Sequence, residues 1–199
     1  MKLIASLTSP FARKVRILLL EKQLPFELVV DIPWNEESRV PDFNPLGKVP
    51  VLLPKTGGGI YDSRVIAEYL ELAGGPAFIP ESPESRIAVR RLEALADGIS
   101  DAAATIFLEL KRAPEQVSGD WIQRQRLKID RGLAAAVPML ASGSAMGWPD
   151  LGQVALECAL GYLDLRFPEM DWRGRFPELA HFHESMLQRE SIRATLPPA

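Results

Sequence analysis

The sequence predicts an α+β domain followed by an all-helical domain, and three observations lead to this fold class. In the first third of the chain, short runs of apolar and β-branched residues alternate with helical patterns. Residues 74–85 then form a segment rich in Gly and Pro, which is typical of a linker. After this segment the strand signals disappear, and apolar residues recur at helical spacing. We therefore expect domains at 1–75 and 85–199, joined by a linker at 76–84.

Composition and charge exclude several classes of protein. The chain has 199 residues and a net charge of −3, which argues against a nucleic-acid or membrane-surface binder. Its apolar runs are too short to cross a bilayer, and "MKLIASLTSP" does not resemble a secretory signal. Cys158 is the only cysteine, so neither an intrachain disulfide nor a multi-thiolate metal site can form. We expect a cytoplasmic protein with no metal.

The N-terminal elements follow one another as β-α-β and then β-β-α. "MKLIAS" predicts a strand, and Ser9 followed by Pro10 predicts the start of a helix, because Ser favours the N-cap and Pro the first helical position. "PFELVVDI" predicts a second strand, residues 51–53 a third, and "GGGIYDS" a turn with a short fourth strand. A second helix then begins at a Ser63 cap and ends at Gly74.

Three cations, Arg13, Lys14 and Arg16, occupy the start of the first helix. Cations at a helix N-terminus oppose the macrodipole and cost a few tenths of a kcal/mol each, roughly. Two interpretations are open. The stretch is either an ordinary cap with solvated cations, or a place where a bound anion meets positive charge and outward-pointing backbone N–H groups.

Helix signals dominate the rest of the chain. Ser82 followed by proline opens a long helix, and a second covers residues 120–141, where Pro138 is expected to kink or shorten it. A third begins at Asp150, with Gln153 completing a capping box. The segment "PELAHFHESMLQRES" predicts a fourth helix.

Three stretches, in order and spacing, resemble motifs of the cytosolic glutathione S-transferases: "TSPFARKV", "NPLGKVPVL" and "YDSRVIAEYL". The helical half agrees through "GYLDLRFP" and "RESIRATLPP", so the similarity covers essentially the whole chain. It implies a thioredoxin-like N-terminal domain, a homodimer, and glutathione with a small electrophile as ligands. Because the thiol-contacting position holds Ser9 and not Cys, the chain is similar to the bacterial serine-containing type. The resemblance points away from the glutaredoxin-like branch.

At the thiol of glutathione, the resemblance assigns Ser9 as the catalytic residue. A free thiol has a pKa near 8.5, and lowering it by about two units requires roughly 2.7 kcal/mol of preferential thiolate stabilisation. A charge-assisted hydrogen bond of about 1.5–3 kcal/mol and a helix-dipole contribution of about 0.3–1 kcal/mol together reach that value. Arg13 or Lys14 would add to the field. The alternative is that Ser9 serves only as a cap.

At the cysteinyl and glycyl parts, the resemblance implicates Val49, Pro50, Lys48 and Trp34. A cis peptide before Pro50 would turn the backbone groups of Val49 toward the ligand, where they pair as an added strand does. The alternative is a trans proline at an edge strand. Lys48 would meet the glycyl carboxylate and Trp34 would line that end of the cleft. A solvated lysine and a tryptophan that covers core are the alternatives.

At the γ-glutamyl end, Ser63 at a helix N-cap would bind the carboxylate, and Asp62 would face the ammonium group. Ordinary capping is the alternative for this pair. Asp97 and Asp101, four residues apart on the first helix of the C-terminal half, would reach ligand held by a second subunit. For these two the alternative is a solvated acidic face.

Two functions from different classes remain open. The first is an enzyme that binds reduced glutathione, stabilises its thiolate and conjugates it to an electrophile, as in detoxification. The second is a glutathione-transferase-like binding or regulatory protein without catalysis. The family includes such members, among them the stringent starvation proteins that contact RNA polymerase. No motif identifies the electrophile.

Overall fold

The computed structural model describes residues 1–141, 146 and 148–198, and the chain divides into two compact units. The first unit comprises Met1–Phe78 together with the segment that starts at Arg189, and the second comprises Ile79–Gln188. The domain boundaries expected from the sequence, with a helical domain at 85–199, differ from these two units at the C-terminal end. The reason is that the chain after Gln188 packs with the first helix. Residues 142–145, 147 and 199 of that expected domain lie outside the described residues.

The first unit is built on a three-stranded sheet of strands β1 (Lys2–Ala5), β2 (Glu27–Val30) and β3 (Val51–Leu53) in the order β2-β1-β3. Strand β1 is parallel to β2 and antiparallel to β3. The expected fourth strand is wrong as a strand, because Ile60 forms only an isolated bridge with Leu52. The chain enters a helix three residues after Ile60, so no ladder extends from the bridge.

The helices of the two units are α1 (Pro10–Glu21), α2 (Ser63–Glu71), α3 (Pro83–Glu109), α4 (Gly119–Ala141), α5 (Leu151–Arg166), α6 (Trp172–Arg175), α7 (Pro177–Met186) and α8 (Glu190–Arg193). Short 3-10 turns lie at Val40–Asp42 and Pro114–Gln116. The predicted fold class is confirmed: a thioredoxin-like unit with a small sheet is followed by a helical unit. The last predicted helix is interrupted between α7 and α8.

The cations at the start of α1 have partners that the sequence analysis missed. Arg13 is only 3% exposed, and its guanidinium donates to the Ile192 carbonyl oxygen at 3.4 Å. Arg16 donates to the carbonyl oxygens of Thr195 and Ala194 at 3.4 and 3.3 Å. These carbonyls lie within the last turn of α8 and directly after it, where the macrodipole favours positive charge. The solvated-cation interpretation is therefore wrong for Arg13, and both arginines fasten the C-terminal segment to α1.

Glu21, at the other end of α1, holds the start of the same segment. Its carboxylate accepts hydrogen bonds from the Arg189 guanidinium at 2.9 and 2.7 Å, and from the Ser191 hydroxyl. The Arg189 hydrogen bonds lower the pKa of Glu21; burial opposes this change, and the Ser191 hydrogen bond adds to it. The C-terminal segment is thus bound to both ends of one helix.

Lys22 fixes the chain that leaves the first unit. This buried lysine donates to the carbonyl oxygens of Gly74 and Pro76 at 3.1 and 2.8 Å and pairs with Glu71 at 3.1 Å. Glu71 in turn accepts from the backbone N–H of Phe78 at 3.0 Å. The Gly- and Pro-rich segment predicted as a linker is therefore held in place along residues 74–78.

In the second unit, α3 packs against α4 and α5. The predicted starts are confirmed for α3, where Ser82 accepts from the Ser85 N–H at 3.3 Å, and for α5. At α5, Asp150 accepts from the Gln153 N–H at 3.0 Å, and the Gln153 side chain accepts from the Asp150 N–H at 3.1 Å. Helix α4 continues through Pro138 to Ala141, so the proline does not shorten it; a kink at Pro138, the other expected effect, stays a prediction.

Within the described part of the chain, every helix is too short or too polar to cross a membrane.

Candidate functional site

The sheet register brings two of the predicted motifs to one edge. Strands β1 and β3 are antiparallel, and Ile4 pairs with Val51 near the end of β1 and the start of β3. The loop after β1, which contains Ser9, therefore begins beside the residues that precede β3. Those residues are Val49 and Pro50.

The third motif reaches the same edge through the Leu52–Ile60 bridge. The backbones of these residues exchange two hydrogen bonds of 3.0 and 2.8 Å in antiparallel pairing. The chain therefore runs from Ile60 back along β3 to Asp62 and Ser63, at the level where β3 begins. We call the edge of the sheet formed by Ser9, Val49–Pro50 and Asp62–Ser63 the site edge.

Ser9 is confirmed as the N-cap of α1. Its hydroxyl oxygen accepts the Ala12 N–H at 3.2 Å, and the side chain is half-buried. Among the described residues, the Ser9 O–H finds no acceptor, so this proton is available to a ligand. The neighbouring Thr8 hydroxyl is in hydrogen-bond contact with Ser6 at 3.2 Å. A thiolate placed at the helix start would therefore meet the Ser9 O–H and the positive end of α1.

The Val49–Pro50 peptide bond is cis, which confirms that expectation and excludes the trans alternative. Val49 is half-buried against the small cluster of Ile4, Val40 and Val51. Within the described part of the chain, neither its backbone N–H nor its C=O has a hydrogen-bond partner. A peptide lying along this edge would therefore find a free donor and a free acceptor on one residue.

Asn44 is a positioning residue that the sequence analysis missed. Its side chain is 2% exposed, donates to the Lys48 carbonyl oxygen at 2.8 Å and accepts the Leu46 N–H at 3.0 Å. These bonds hold the loop that carries Val49, with Gly47 at a φ of 62°. The Asn-Pro dipeptide at residues 44–45 was the available signal, because Asn before Pro favours turn initiation.

The order of the Asp62–Ser63 pair corrects the sequence analysis, which expected Ser63 to cap α2. Asp62 is the N-cap, and its carboxylate accepts the Arg64 N–H at 3.0 Å. Ser63 is the first helical residue and is 3% exposed. Among the described residues, its hydroxyl and its N–H have no hydrogen-bond partner, which leaves both donors for an anion at the positive end of α2. The Tyr61–Asp62 bond is also cis.

Trp34 and Lys48 are both exposed. Trp34 is 62% exposed, so the alternative that it covers core is wrong. Its loop follows β2 and is tied by the Asp31 carboxylate, which accepts the Arg39 N–H at 2.9 Å. Since β2 is parallel to β1, this loop leaves the sheet at the same end as the loop of Ser9.

Asp97 and Asp101 lie in the second unit, on α3. Asp97 is 5% exposed, whereas Asp101 is exposed, and both have interactions within the chain. A uniformly solvated acidic face, the alternative for this pair, is therefore wrong for Asp97. Their assignment to a shared site stays a prediction.

No group of three or more His, Cys, Asp or Glu side chains is placed to hold a metal ion in the described part of the chain.

Comparison with known sequences gives matches over the N-terminal unit and over the whole chain. Residues 8–73 match the family model described as "Glutathione S-transferase, N-terminal domain". Along its full length the chain is 44% identical to an uncharacterized GST-like protein, YibF, of Escherichia coli, and covers 99% of that protein.

Solved bacterial structures are similar over the whole chain as well. A glutathione S-transferase of Methylobacterium radiotolerans in complex with glutathione sulfonate is 43% identical, with a TM-score of 0.92 over 100% of this chain and 95% of that one. A glutathione S-transferase of Methylobacillus flagellatus with bound glutathione is 40% identical, with a TM-score of 0.94 over 99% of each chain.

Proposed function

Because the chain belongs to the glutathione S-transferase family, we propose that it binds reduced glutathione at the site edge and joins the glutathione sulfur to a small electrophile. One observation carries the proposal. Along a single edge, unpartnered polar groups on Ser9, Val49 and Ser63 follow one another in the order that a thiol, a peptide backbone and a carboxylate require.

Each part of the tripeptide is bound by protein groups that match its charge or its hydrogen-bonding groups. The γ-glutamyl carboxylate binds the N–H and hydroxyl of Ser63 at the start of α2, and Asp62 faces the ammonium group. The cysteinyl backbone pairs with Val49 as a short added strand. The glycyl carboxylate lies toward Lys48 and Trp34.

The chemical step uses the helix start of α1. The thiol loses its proton to solvent, and the thiolate is held by the Ser9 O–H and the positive end of α1. The sulfur electron pair then forms a bond to an electrophilic carbon, and the leaving group departs with the electron pair of the bond that breaks. Arg13 has a smaller role in this proposal than the sequence indicated, because its guanidinium also holds the Ile192 carbonyl.

In this proposal the protein acts in detoxification as a homodimer. Its proposed location is the cytoplasm, because reduced glutathione is the thiol of reducing compartments. Asp97 or Asp101 of one subunit then contributes to the site of the other. Family resemblance supports this assembly.

Isothermal titration with reduced glutathione tests the binding. We expect heat and saturation at or below millimolar concentration. Replacing Ser63 by Ala is expected to weaken binding by about 1–3 kcal/mol, because a buried carboxylate loses a charge-assisted donor. Thr56→Ala is the matched control, since Thr56 is an exposed hydroxyl residue in the loop beyond the far end of β3. Equal effects of the two substitutions would contradict the role of Ser63.

A conjugation assay distinguishes the enzyme from a non-catalytic glutathione-binding protein. Incubation with glutathione and a generic aryl halide is expected to release halide and form the thioether faster than the uncatalysed reaction. Binding without any acceleration, across a panel of aryl halides, epoxides and unsaturated carbonyls, would favour the rival function of a non-catalytic glutathione-binding protein. No specific observation in the chain favours that rival.

A further inference from the structure

A cavity of about 640 Å³ lies at the end of the sheet opposite the site edge, and the proposed reaction does not use it. The register explains its position, because the backbone of Lys2 pairs with Glu27 on one side and with Leu53 on the other, away from Ser9. The volume is within the range of small-molecule sites, about 300–1,000 Å³. We call it the basal cavity and define it by Lys2, Glu27, Asp42, Phe43, Leu53, Lys55 and Gly57–Gly59.

The charges that line the basal cavity have both signs. Lys55 is exposed, and within the described part of the chain its ammonium has no carboxylate partner. Glu27 pairs with Lys2 at 3.2 Å, and Asp42 pairs with Arg39 at 3.0 Å. Because the side chains of both pairs are more than half exposed, solvent weakens these ion pairs, and the two carboxylates remain available to a ligand.

The glycine turn after β3 supplies backbone donors. The N–H groups of Gly57, Gly58 and Gly59 have no acceptor among the described residues. Two of these glycines have a local reason: Gly57 has a φ of 97°, and a Cβ on Gly59 would lie 2.9 Å from the Phe43 carbonyl oxygen. Gly58 has neither, because no atom of the described residues beyond its chain neighbours lies within 4 Å of an added carbon. Its missing side chain leaves this backbone open to a ligand, and successive N–H groups in a turn bind anions.

Phe43 and Leu53 add apolar surface to the basal cavity. Both are half-buried and pack against the cluster of Ile4, Val40 and Val51. Because this packing already fixes the two side chains, a ligand that contacts them does not have to order them. The cavity therefore combines an apolar contact with charges of both signs.

We propose that the basal cavity binds a small zwitterion with an apolar body, such as an aromatic α-amino acid. Lys55 and the N–H groups of Gly57–Gly59 hold the carboxylate, and Glu27 and Asp42 hold the ammonium group. Phe43 and Leu53 contact the apolar body. A purely anionic ligand would face the two carboxylates, and a purely cationic one would face the lysines, so only a ligand with both charges matches the lining. The proposal stands apart from the transferase activity, because it uses no residue of the site edge.

Titration of the whole protein with L-phenylalanine, phenethylamine and 3-phenylpropanoate tests the site, since the second probe lacks the carboxylate and the third lacks the ammonium group. Amide NMR signals of Gly57–Gly59 and Phe43 report on the basal cavity, and those of Val49 and Ser63 report on the site edge. We expect phenylalanine to shift the first set of signals, with a dissociation constant about tenfold or more below those of both other probes, as one charge-assisted contact predicts.

Substitutions at each end of the ligand separate the two charges. Lys55→Met is expected to reduce the preference for phenylalanine over phenethylamine severalfold. Glu27→Gln combined with Asp42→Asn is expected to abolish the preference over 3-phenylpropanoate. All three side chains are exposed, so we expect both variants to fold.

Control variants with the same charge changes lie outside the basal cavity. Lys128→Met removes an exposed lysine of α4, and Glu81→Gln combined with Glu84→Gln removes two exposed carboxylates near the start of α3. Both should keep the full preference for phenylalanine. Equal binding of the three probes, preferences that survive both sets of cavity substitutions, or shifts confined to the signals of Val49 and Ser63 would each overturn the proposal.

Discussion

The Ser9 hydroxyl combines two roles, because its oxygen already accepts the Ala12 N–H while its proton has no acceptor among the described residues. In Ser9→Ala, we expect the pKa of bound glutathione to rise and conjugation at neutral pH to fall more than glutathione binding does. The physical reason is the loss of a hydrogen bond to the thiolate, worth about 1.5–3 kcal/mol. A pH–rate profile compared with a titration of binding measures both effects.

Ser82→Ala is the control for this substitution, because Ser82 caps α3 in the same way and is not one of the residues that form the site edge. Each variant is expected to lose about 1 kcal/mol of stability through the missing cap. Only Ser9→Ala should change the pH–rate profile. An unchanged profile would assign thiolate stabilisation to the helix dipole or to Thr8.

At this scale the sequence predicts residues whose roles depend on near neighbours. The Ser9 cap and the cis bond before Pro50 are correct, the first from a local pattern and the second from family resemblance. Partners distant in sequence are not predictable in this way. The carbonyls that hold Arg13 and Arg16 come from the C-terminal segment, and nothing in the "FARKVR" stretch indicates them. The choice of Asp62 over Ser63 as the cap was also beyond sequence alone, because both residue types favour that position.

Helix α8 is attached to α1 by the Glu21 carboxylate, so we expect Glu21→Gln to loosen the C-terminal segment. The loss of the ionic hydrogen bonds from Arg189 should lower the free energy of unfolding by about 1–2 kcal/mol. Chemical denaturation, followed through a signal that reports on the first unit, measures this free energy of unfolding. Limited proteolysis near residue 190 measures how far the C-terminal segment is loosened. Glu190→Gln is the control, since its side chain is exposed. Equal protease resistance in both variants would contradict the role of Glu21.

The ion pair of Glu21 with Arg189 predicts a dependence of the protein's stability on pH. The pKa of Glu21 is lowered in the folded protein from its ordinary value of 4.5, chiefly by hydrogen bonding from Arg189. Its contribution is therefore fully present above pH 4.5 and is lost as the pH falls through the lower folded value. Glu21→Gln should accordingly reduce the difference in unfolding free energy between neutral and acidic pH. An identical acid dependence in both proteins would show that other carboxylates determine it.

The contact of α3 with α5 predicts opposite effects for two glycines. A Cβ on Gly152 would lie 2.7 Å from the Val89 carbonyl oxygen and 2.8 Å from the Leu92 Cβ, so Gly152→Ala should destabilise the protein by about 1–3 kcal/mol. Around Gly98, in α3, no atom of the described residues beyond its chain neighbours and its own helix backbone lies within 4 Å of the added carbon, and Gly98→Ala should stabilise the protein by about 0.5–1 kcal/mol. Thermal unfolding compares the two. A stabilising Gly152→Ala would mean that the helices separate without cost.

Elements with their own caps were predicted well, and elements that depend on distant pairing were not. The starts of α3 and α5 follow from Ser82 and from the Asp150–Gln153 box. The fourth strand is reduced to one bridge because its length depends on where β3 ends and α2 begins. The last predicted helix ends early at Met186, since the chain there leaves one unit for the other.

At the scale of the whole molecule, the proposed homodimer predicts a mass in solution of about 44 kDa, twice the 22.0 kDa of one chain. Light scattering or sedimentation at micromolar concentration measures this mass. If the dimer forms, Asp97→Asn and Asp101→Asn are expected to weaken glutathione binding, because each removes a charge that would face the γ-glutamyl ammonium. A mass near 22 kDa would remove the dimer. Unchanged affinity in both variants would remove only the shared site.

The return of the C-terminal segment to α1 has a consequence for synthesis on the ribosome. Residues 1–78 leave the ribosome before residues 79–188, and Arg189 and the carbonyls that hold Arg13 and Arg16 are translated only after all of residues 79–188. While the chain is still being made, the nascent first unit therefore carries two arginines and Glu21 without these native partners. It completes its own structure only when the segment from Arg189 onward emerges, so this unit gains its last native contacts after residues 79–188 have been made, although most of it is translated before them.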